Sequence, residues 1–222
     1  MRNFQKIFSY IIPITLYKKT SEINESLEIT WNNGKLVLDS KNANLSYGNL
    51  QKVLRFGLQK TGYQTIANFQ NILVLGVAGA SVIDTIVNEI KYKNKITGVE
   101  IDPEIIKIAT DYFKLNTYKN LEIVIDDAQN YIAKTTQNFN LIIIDVFEDN
   151  LMPSFLFETT FIANYLSLLS KNGIVLFNTI VTNKNQLNLN NNFEKLLQSK
   201  GLEVQRFNNL YGENEIFIAK KL

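Results

Sequence analysis

Three carboxylates stand where short apolar runs end. Glu100 closes a run ahead of Ile101-Asp102, Asp127 follows Leu121 to Ile125, and Asp145 follows Asn140 to Ile144. A further run, Ile72 to Leu75, ends in the small-residue turn Gly76-Val77-Ala78-Gly79-Ala80. Small residues after a strand let a ligand approach the backbone N–H groups of a following helix, and an acid roughly 20 positions on can accept from ribose hydroxyls. A nucleoside-type ligand is therefore the first expectation. The turn places Gly76, Ala78 and Ser81 where a dinucleotide pyrophosphate motif requires glycines. A nucleoside without phosphates demands less of that turn. S-adenosylmethionine fits what remains, with Gly76 to Ala80 beside its tail, Glu100 on the ribose and Asp127 at the adenine amino group.

Composition removes other chemistries. The 222 residues include no Cys and no His, which excludes disulfides, thiol nucleophiles, Ser-His triads and thiolate or imidazole metal sites. Acid–base work falls to Asp, Glu, Lys or Tyr, and no metal is expected. A net charge of +2 with scattered Lys and Arg gives no field that calls for nucleic acid. Near the N-terminus, Arg2 and Lys6 precede the apolar run Ile7 to Tyr17, which superficially resembles a signal peptide. The run lacks a small-residue cleavage site, and Pro13 and two tyrosines interrupt it. No run reaches the roughly 18 apolar residues of a membrane span. A soluble, cytoplasmic protein without membrane partners is the expectation.

The elements that must position the carboxylates follow from periodicity. Asn71 to Asp102 reads as a βαβ unit, and Asp102-Pro103-Glu104 supplies a cap, a first-turn proline and a first-turn acid for a helix through about Phe113. Leu121 to Ile125 is the third strand, a short helix starts at Ala128, and the branched run of Asn140 to Asp145 suits a strand buried on both faces. A loop over 146–153, a helix over Phe155 to Leu169 and a strand over Gly173 to Asn178 come next. Thr182 to Asn192 is Asn-rich and reads as a polar loop leading to a helix near Phe193 to Gln198. Leu202 to Phe207 pairs with Glu215 to Ala219 as an antiparallel edge hairpin. The fold class is thus α/β, a doubly wound, mostly parallel sheet over residues 46–222. Residues 1–45 form a small β-appendage, with an extended segment near Ile11 to Tyr17 and a hairpin of Leu27 to Trp31 with Lys35 to Leu38. Alternation puts Trp31 on the Leu27 and Ile29 face, and Ser46 can cap a helix that carries Leu50, Val53, Leu54, Gly57 and Leu58 at helical spacing.

From Ile72 to about Thr179 the sequence resembles the spermidine synthase (polyamine aminopropyltransferase) family. The blocks Ile-Leu-Val-Leu-Gly at 72–76, Val-Glu-Ile-Asp-Pro at 99–103, Ile-Asp-Asp-Ala at 125–128, Ile-Ile-Ile-Asp at 142–145 and Leu-Phe-Glu-Thr-Thr-Phe at 156–161 carry it in order. The resemblance implies a methyltransferase-like Rossmann fold and S-adenosylmethionine or decarboxylated S-adenosylmethionine as co-substrate. It further implies a small-molecule acceptor, an amine in that family, and a homodimer formed through the N-terminal region. Gly76, Ala78, Gly79, Glu100, Ile101, Asp127 and Ala128 would contact the nucleoside, and Asp145 would take a proton from the attacking amine. The transferred group, aminopropyl or methyl, stays open. Against the family pattern, Gly79 replaces an Asp, Gly48 replaces a His after Tyr47, Asn24-Glu25 stands in about the place of a Tyr-Gln pair, and Val146-Phe147-Glu148-Asp149 follows Asp145. Tyr47, Glu148 and Asp149 are the candidate acceptor contacts, or else ordinary loop residues. Phe147, Met152, Phe155 and Phe157 make an apolar lid or pack as core. The other reading is a non-catalytic nucleoside-binding protein that keeps the fold.

Overall fold

The computed structural model describes residues 2–148 and 151–222. Its centre is a seven-stranded sheet whose order along the sheet is β10-β11-β9-β8-β5-β6-β7. The strands are β5 (Asn71–Leu75), β6 (Lys95–Glu100), β7 (Leu121–Ile125), β8 (Phe139–Ile144), β9 (Leu169–Ile180), β10 (Leu202–Leu210) and β11 (Asn214–Lys221). Five run parallel, and β11 pairs antiparallel with both β9 and β10. This is the methyltransferase-like Rossmann arrangement. The strand order reverses between β5 and β8, and Gly76, Glu100, Asp127 and Asp145 stand at or just beyond the carboxyl ends of β5, β6, β7 and β8.

The central strands are buried on both faces, as their branched residues require. Ile72 and Val74 of β5, with Leu141 and Ile143 of β8, join one apolar layer under helices α2 (Gly48–Thr61), α3 (Tyr63–Ala67) and α4 (Ser81–Asp84). Leu73, Leu75, Ile142 and Ile144 join the opposite layer with Phe161 and Tyr165 of α7 (Thr159–Ser167) and Phe193 of α8 (Lys184–Ser199). Each such fully buried aliphatic side chain contributes about 1.5–3 kcal/mol. Helix α5 (Pro103–Phe113) begins where the sequence places it, with the Asp102 side chain accepting from the Glu104 N–H and Pro103 in the first turn. Helix α6 (Ala128–Lys134) is capped by Asp127 in the same way.

The N-terminal appendage is larger than a hairpin. It holds a four-stranded antiparallel sheet, β1 (Ile14–Lys19), β2 (Leu27–Asn32), β3 (Lys35–Asp39) and β4 (Asn44–Ser46), preceded by a helix α1 (Arg2–Phe8). Leu27, Ile29 and Leu38 of this sheet pack on Ile105, Ile108 and Phe113 of α5. Trp31 is only half-buried, with the Lys6 ammonium 5.7 Å from its ring centroid.

Three expectations are corrected. Ser46 ends β4 and does not cap α2. Tyr47 occupies the cap position at φ 66° without a side-chain cap, because the serine is buried against the glycine turn. The Asn-rich stretch is helical from Lys184, since the Asn183 side chain accepts from the Gln186 N–H and Asn190, Phe193 and Leu197 turn inward at helical spacing. Tertiary packing there outweighs the weak helix propensity of asparagine. The helix expected over Phe155 to Leu169 divides into a 3₁₀ turn (Ser154–Phe157) and α7, and β9 already begins at Leu169. Phe157, the last residue of the turn, is committed to the core, where it meets the rings of Phe177 and Phe193.

Candidate functional site

A cleft of about 700 Å³ opens beyond the carboxyl ends of β5, β6, β7 and β8. Its far wall comes from the appendage, through the segments 23–26 and 40–45, and its rim from Val146 to Glu148, from Leu151, Pro153 and Phe155, and from the β10–β11 turn. Among the described residues it brings together Gly76, Ala78, Glu100, Ile101, Asp127, Ala128, Asp145 and Glu148 from the sequence-derived set. Gly79 and Tyr47 do not line it. Asp149 lies outside the described residues.

The turn after β5 is shaped by close approach. Gly76 has φ +86°, and a Cβ there would come within 2.2 Å of the Asp145 carbonyl oxygen, so the strand-to-strand contact admits only glycine. Ala78 and Ala80 also take left-handed conformations, at φ 45° and 66°. Glu100 holds this turn. Its Oε2 accepts from the N–H groups of Val77 and Ala78 at 3.1 and 3.0 Å, and its Oε1 accepts from the Asp102 N–H at 3.1 Å. Burial pushes the Glu100 carboxyl above the usual range, and those three donors pull it back. The acid that the sequence reserves for a ligand thus also clamps the glycine turn.

Gly79 explains one departure from the family pattern. A Cβ on it would meet Ser46 Cβ at 2.7 Å and Ser46 Oγ at 2.9 Å. Ser46 Oγ in turn accepts from the Ser81 N–H at 3.3 Å, at the first turn of α4. No space for a carboxylate is left at this position. Tyr47, beside it, stacks on Phe113 at 4.8 Å and is turned away from the cleft, its hydroxyl pushed well above the ordinary range by burial and by Asp84.

Asp127 reaches the cleft half-buried, with Oδ1 accepting from the Asn130 N–H at 3.0 Å as the α6 cap. Ile101 is 45% exposed and lines the cleft between Glu100 and α5, an apolar surface suited to the face of a base. Asp145 is half-buried at the end of β8. Its N–H donates to the Leu75 carbonyl at 2.9 Å, and its Oδ1 accepts from Asn178 Nδ2 at 2.9 Å. Burial pushes its carboxyl up to about 7, Asn178 pulls it down and the nearby Glu100 charge adds to the rise. Asp145 can therefore change protonation state near neutral pH, as a general base must. Glu148 is exposed on the rim, and its backbone pairs with Leu151. Of the expected lid, Phe147 and Phe155 line the cleft, whereas Phe157 packs as core.

The sequence gives no site role to Asn178 or to the rim acid Glu213, offers Ser46 only as a helix cap, and marks Glu25 only as part of the Asn24-Glu25 departure from the family pattern. Asn178 left one signal, a polar residue at the end of a run of apolar ones, whereas Glu25 and Glu213 come from segments far away in the chain.

A family model described as the spermine/spermidine synthase domain matches residues 57–207. The chain belongs to the spermine/spermidine synthase family. A curated relative, the polyamine aminopropyltransferase of Vibrio vulnificus (strain CMCP6), is 30% identical over 118 residues, which is 52% of this chain and 39% of that protein. The matched part thus spans well under half of that relative's length. A spermidine synthase solved in complex with the transition-state analogue AdoDATO shares the fold, with a TM-score of 0.70 at 17% identity over 94% of this chain and 74% of that one. Human methyltransferase-like protein 13, solved in complex with SAH, superposes with a TM-score of 0.61 at 21% identity over 79% of this chain and 83% of that one.

Proposed function

We propose that this chain is a transferase of the aminopropyl type, taking decarboxylated S-adenosylmethionine as donor and a small cationic amine as acceptor. One observation carries this reading: among the described residues, seven acidic ones (Glu25, Glu100, Asp126, Asp127, Asp145, Glu148 and Glu213) and a single basic one, Lys41, line the cleft. That lysine is itself paired with Glu25 at 2.6 Å. Such a surface concentrates cations and disfavours the free carboxylate that intact S-adenosylmethionine carries.

The chemistry asks little more of the protein than placement. The amine lone pair attacks the propyl carbon next to the sulfonium, a C–N bond forms, and the C–S bond breaks with its electron pair returning to sulfur. Neutral methylthioadenosine leaves. Glu100 accepts from ribose hydroxyls through lone pairs not used on the turn, Asp127 accepts from the adenine amino group, and Ile101 and Ala128 cover the base. Asp145 accepts the proton that the amine must lose, and Glu148 and Asp149 attract the acceptor. Holding both reactants in line supplies most of the acceleration.

A second reading, methyl transfer from intact S-adenosylmethionine, is favoured by one feature, the space at Gly79 that Ser46 closes to a tail-binding carboxylate. Calorimetric titration with S-adenosylmethionine, its decarboxylated form and methylthioadenosine separates the readings. Tightest binding of the decarboxylated form, followed by amine-dependent release of methylthioadenosine that Asp145→Asn abolishes, is the expected result. Tightest binding of intact S-adenosylmethionine moves the assignment to methyl transfer, and binding without turnover of any amine moves it to a non-catalytic nucleoside-binding protein.

A further inference from the structure

Strand β9 ends its apolar run on two consecutive polar residues, Asn178 and Thr179, both at 0% exposure. Strand alternation sends them to opposite faces. Thr179 Oγ1 accepts from Asn190 Nδ2 of α8 at 2.8 Å, which is a structural use. Asn178 turns toward the other layer, where its Nδ2 donates to Asp145 Oδ1 at 2.9 Å, and its own Oδ1 is buried without a protein partner among the described residues. A buried amide with one unsatisfied oxygen costs stability, so this contact is not explained by packing. The asparagine does not line the cleft.

We infer that Asn178 is a positioning residue for Asp145: its amide fixes one carboxylate oxygen so that the other, Oδ2, is presented to the acceptor. A neutral donor suits this place. Glu100 at the end of β6 is the charged group that acts on Asp145, the β5 turn offers only backbone, and an acid at 178 would add a second like charge. A hydrogen bond to the ionised form also offsets part of the desolvation of Asp145. This inference rests on the proposed role of Asp145 for its catalytic consequence, whereas the contact itself is testable without any substrate.

The test is a carboxyl ¹³C NMR titration of unliganded protein labelled at aspartate. Only eight aspartates are present, and Asp145→Asn assigns the resonance of interest. Asn178→Asp keeps the volume and removes the donor, and Asn178→Leu removes the donor without adding charge. Both variants are expected to raise the Asp145 titration midpoint by about one pH unit or more. With decarboxylated S-adenosylmethionine and an active amine, the acidic limb of kcat moves up by the same amount and the KM for the nucleoside stays constant. An unchanged Asp145 midpoint in both variants overturns the inference. Turnover that persists in Asp145→Asn while the midpoint still moves in the Asn178 variants supports the positioning contact and overturns the catalytic reading of Asp145 instead.

Discussion

Glycine at 79 is set by a neighbour far away in sequence. Because a Cβ there would overlap Ser46, Gly79→Asp is expected to lower stability by about 1–3 kcal/mol, read as a shift in the urea midpoint. Ser46→Gly in the same molecule should restore much of the loss and Ser46→Ala less of it, since alanine relieves the Oγ contact and keeps the closer Cβ contact at 2.7 Å. Asp145 gives a second prediction at this scale. Its folded-state pKa of about 7 lies above that of a solvated aspartate, so the folded protein keeps a proton that the unfolded chain has already lost at pH 5 or 6. Stability therefore falls as pH rises from about 4 through 7. Asp145→Asn should remove that slope, matching the parent protein near pH 4 and exceeding its stability by roughly 2–4 kcal/mol at pH 8. Chemical denaturation at both pH values checks it. Glu100, Asp127 and Asp145 were legible in the sequence because each closes an apolar run, and strand ends are where such sheets bind ligands. The Ser46–Gly79 contact was not legible, because the 32 positions between its partners carry no periodic signal that links them.

Among the elements, β5 to β8 were readable from runs of branched residues, and α5 from its cap and proline. Helix α8 was not, because its inward positions include a polar one. Asn190 is fully buried and donates Nδ2 to Thr179 Oγ1 and to Glu215 Oε2, both at 2.8 Å. Glu215 is also bound by Arg206 through Nε at 2.9 Å and Nη2 at 2.6 Å, and the guanidinium lies over the Phe217 ring. A polar core contact of this kind erases the apolar stripe by which a helix is recognised. The same network joins α8, β9, β10 and β11, so its loss should loosen the antiparallel edge of the sheet. Arg206→Met leaves a carboxylate at 4% exposure with Asn190 as its remaining side-chain donor, and a loss of about 3–5 kcal/mol at neutral pH is expected. Adding Glu215→Gln should recover part of it. Thermal or urea unfolding of the single and double variants measures the difference, and equal losses in both would remove the buried charge as the cause.

At the scale of the whole molecule, the cleft exists only because the appendage and the Rossmann sheet meet, and Asp102 is where they are tied. Its Oδ1 accepts from the Glu104 N–H at 2.9 Å and caps α5, and its Oδ2 accepts from Asn24 Nδ2 at 2.7 Å and from the Ser21 hydroxyl. Lys19 reaches across to Glu104 beside it. One aspartate, 1% exposed, thus fixes the helix that carries the apolar contact to β2 and β3 and also the 21–26 segment that forms a wall of the cleft. Asp102→Ala should cost about 1–3 kcal/mol through the cap and the unpaired partners. It should also weaken methylthioadenosine binding, because the wall opposite Glu100 and Asp127 loses its anchor. Asp102→Asn keeps an acceptor for the cap and loses one for the wall, so its binding should fall more than its stability. Hydrogen exchange in residues 20–26, compared with the β5 and β8 amides, locates the effect: faster exchange confined to the wall segment ties recognition of the nucleoside to the appendage, whereas uniform acceleration would reduce Asp102 to a cap alone.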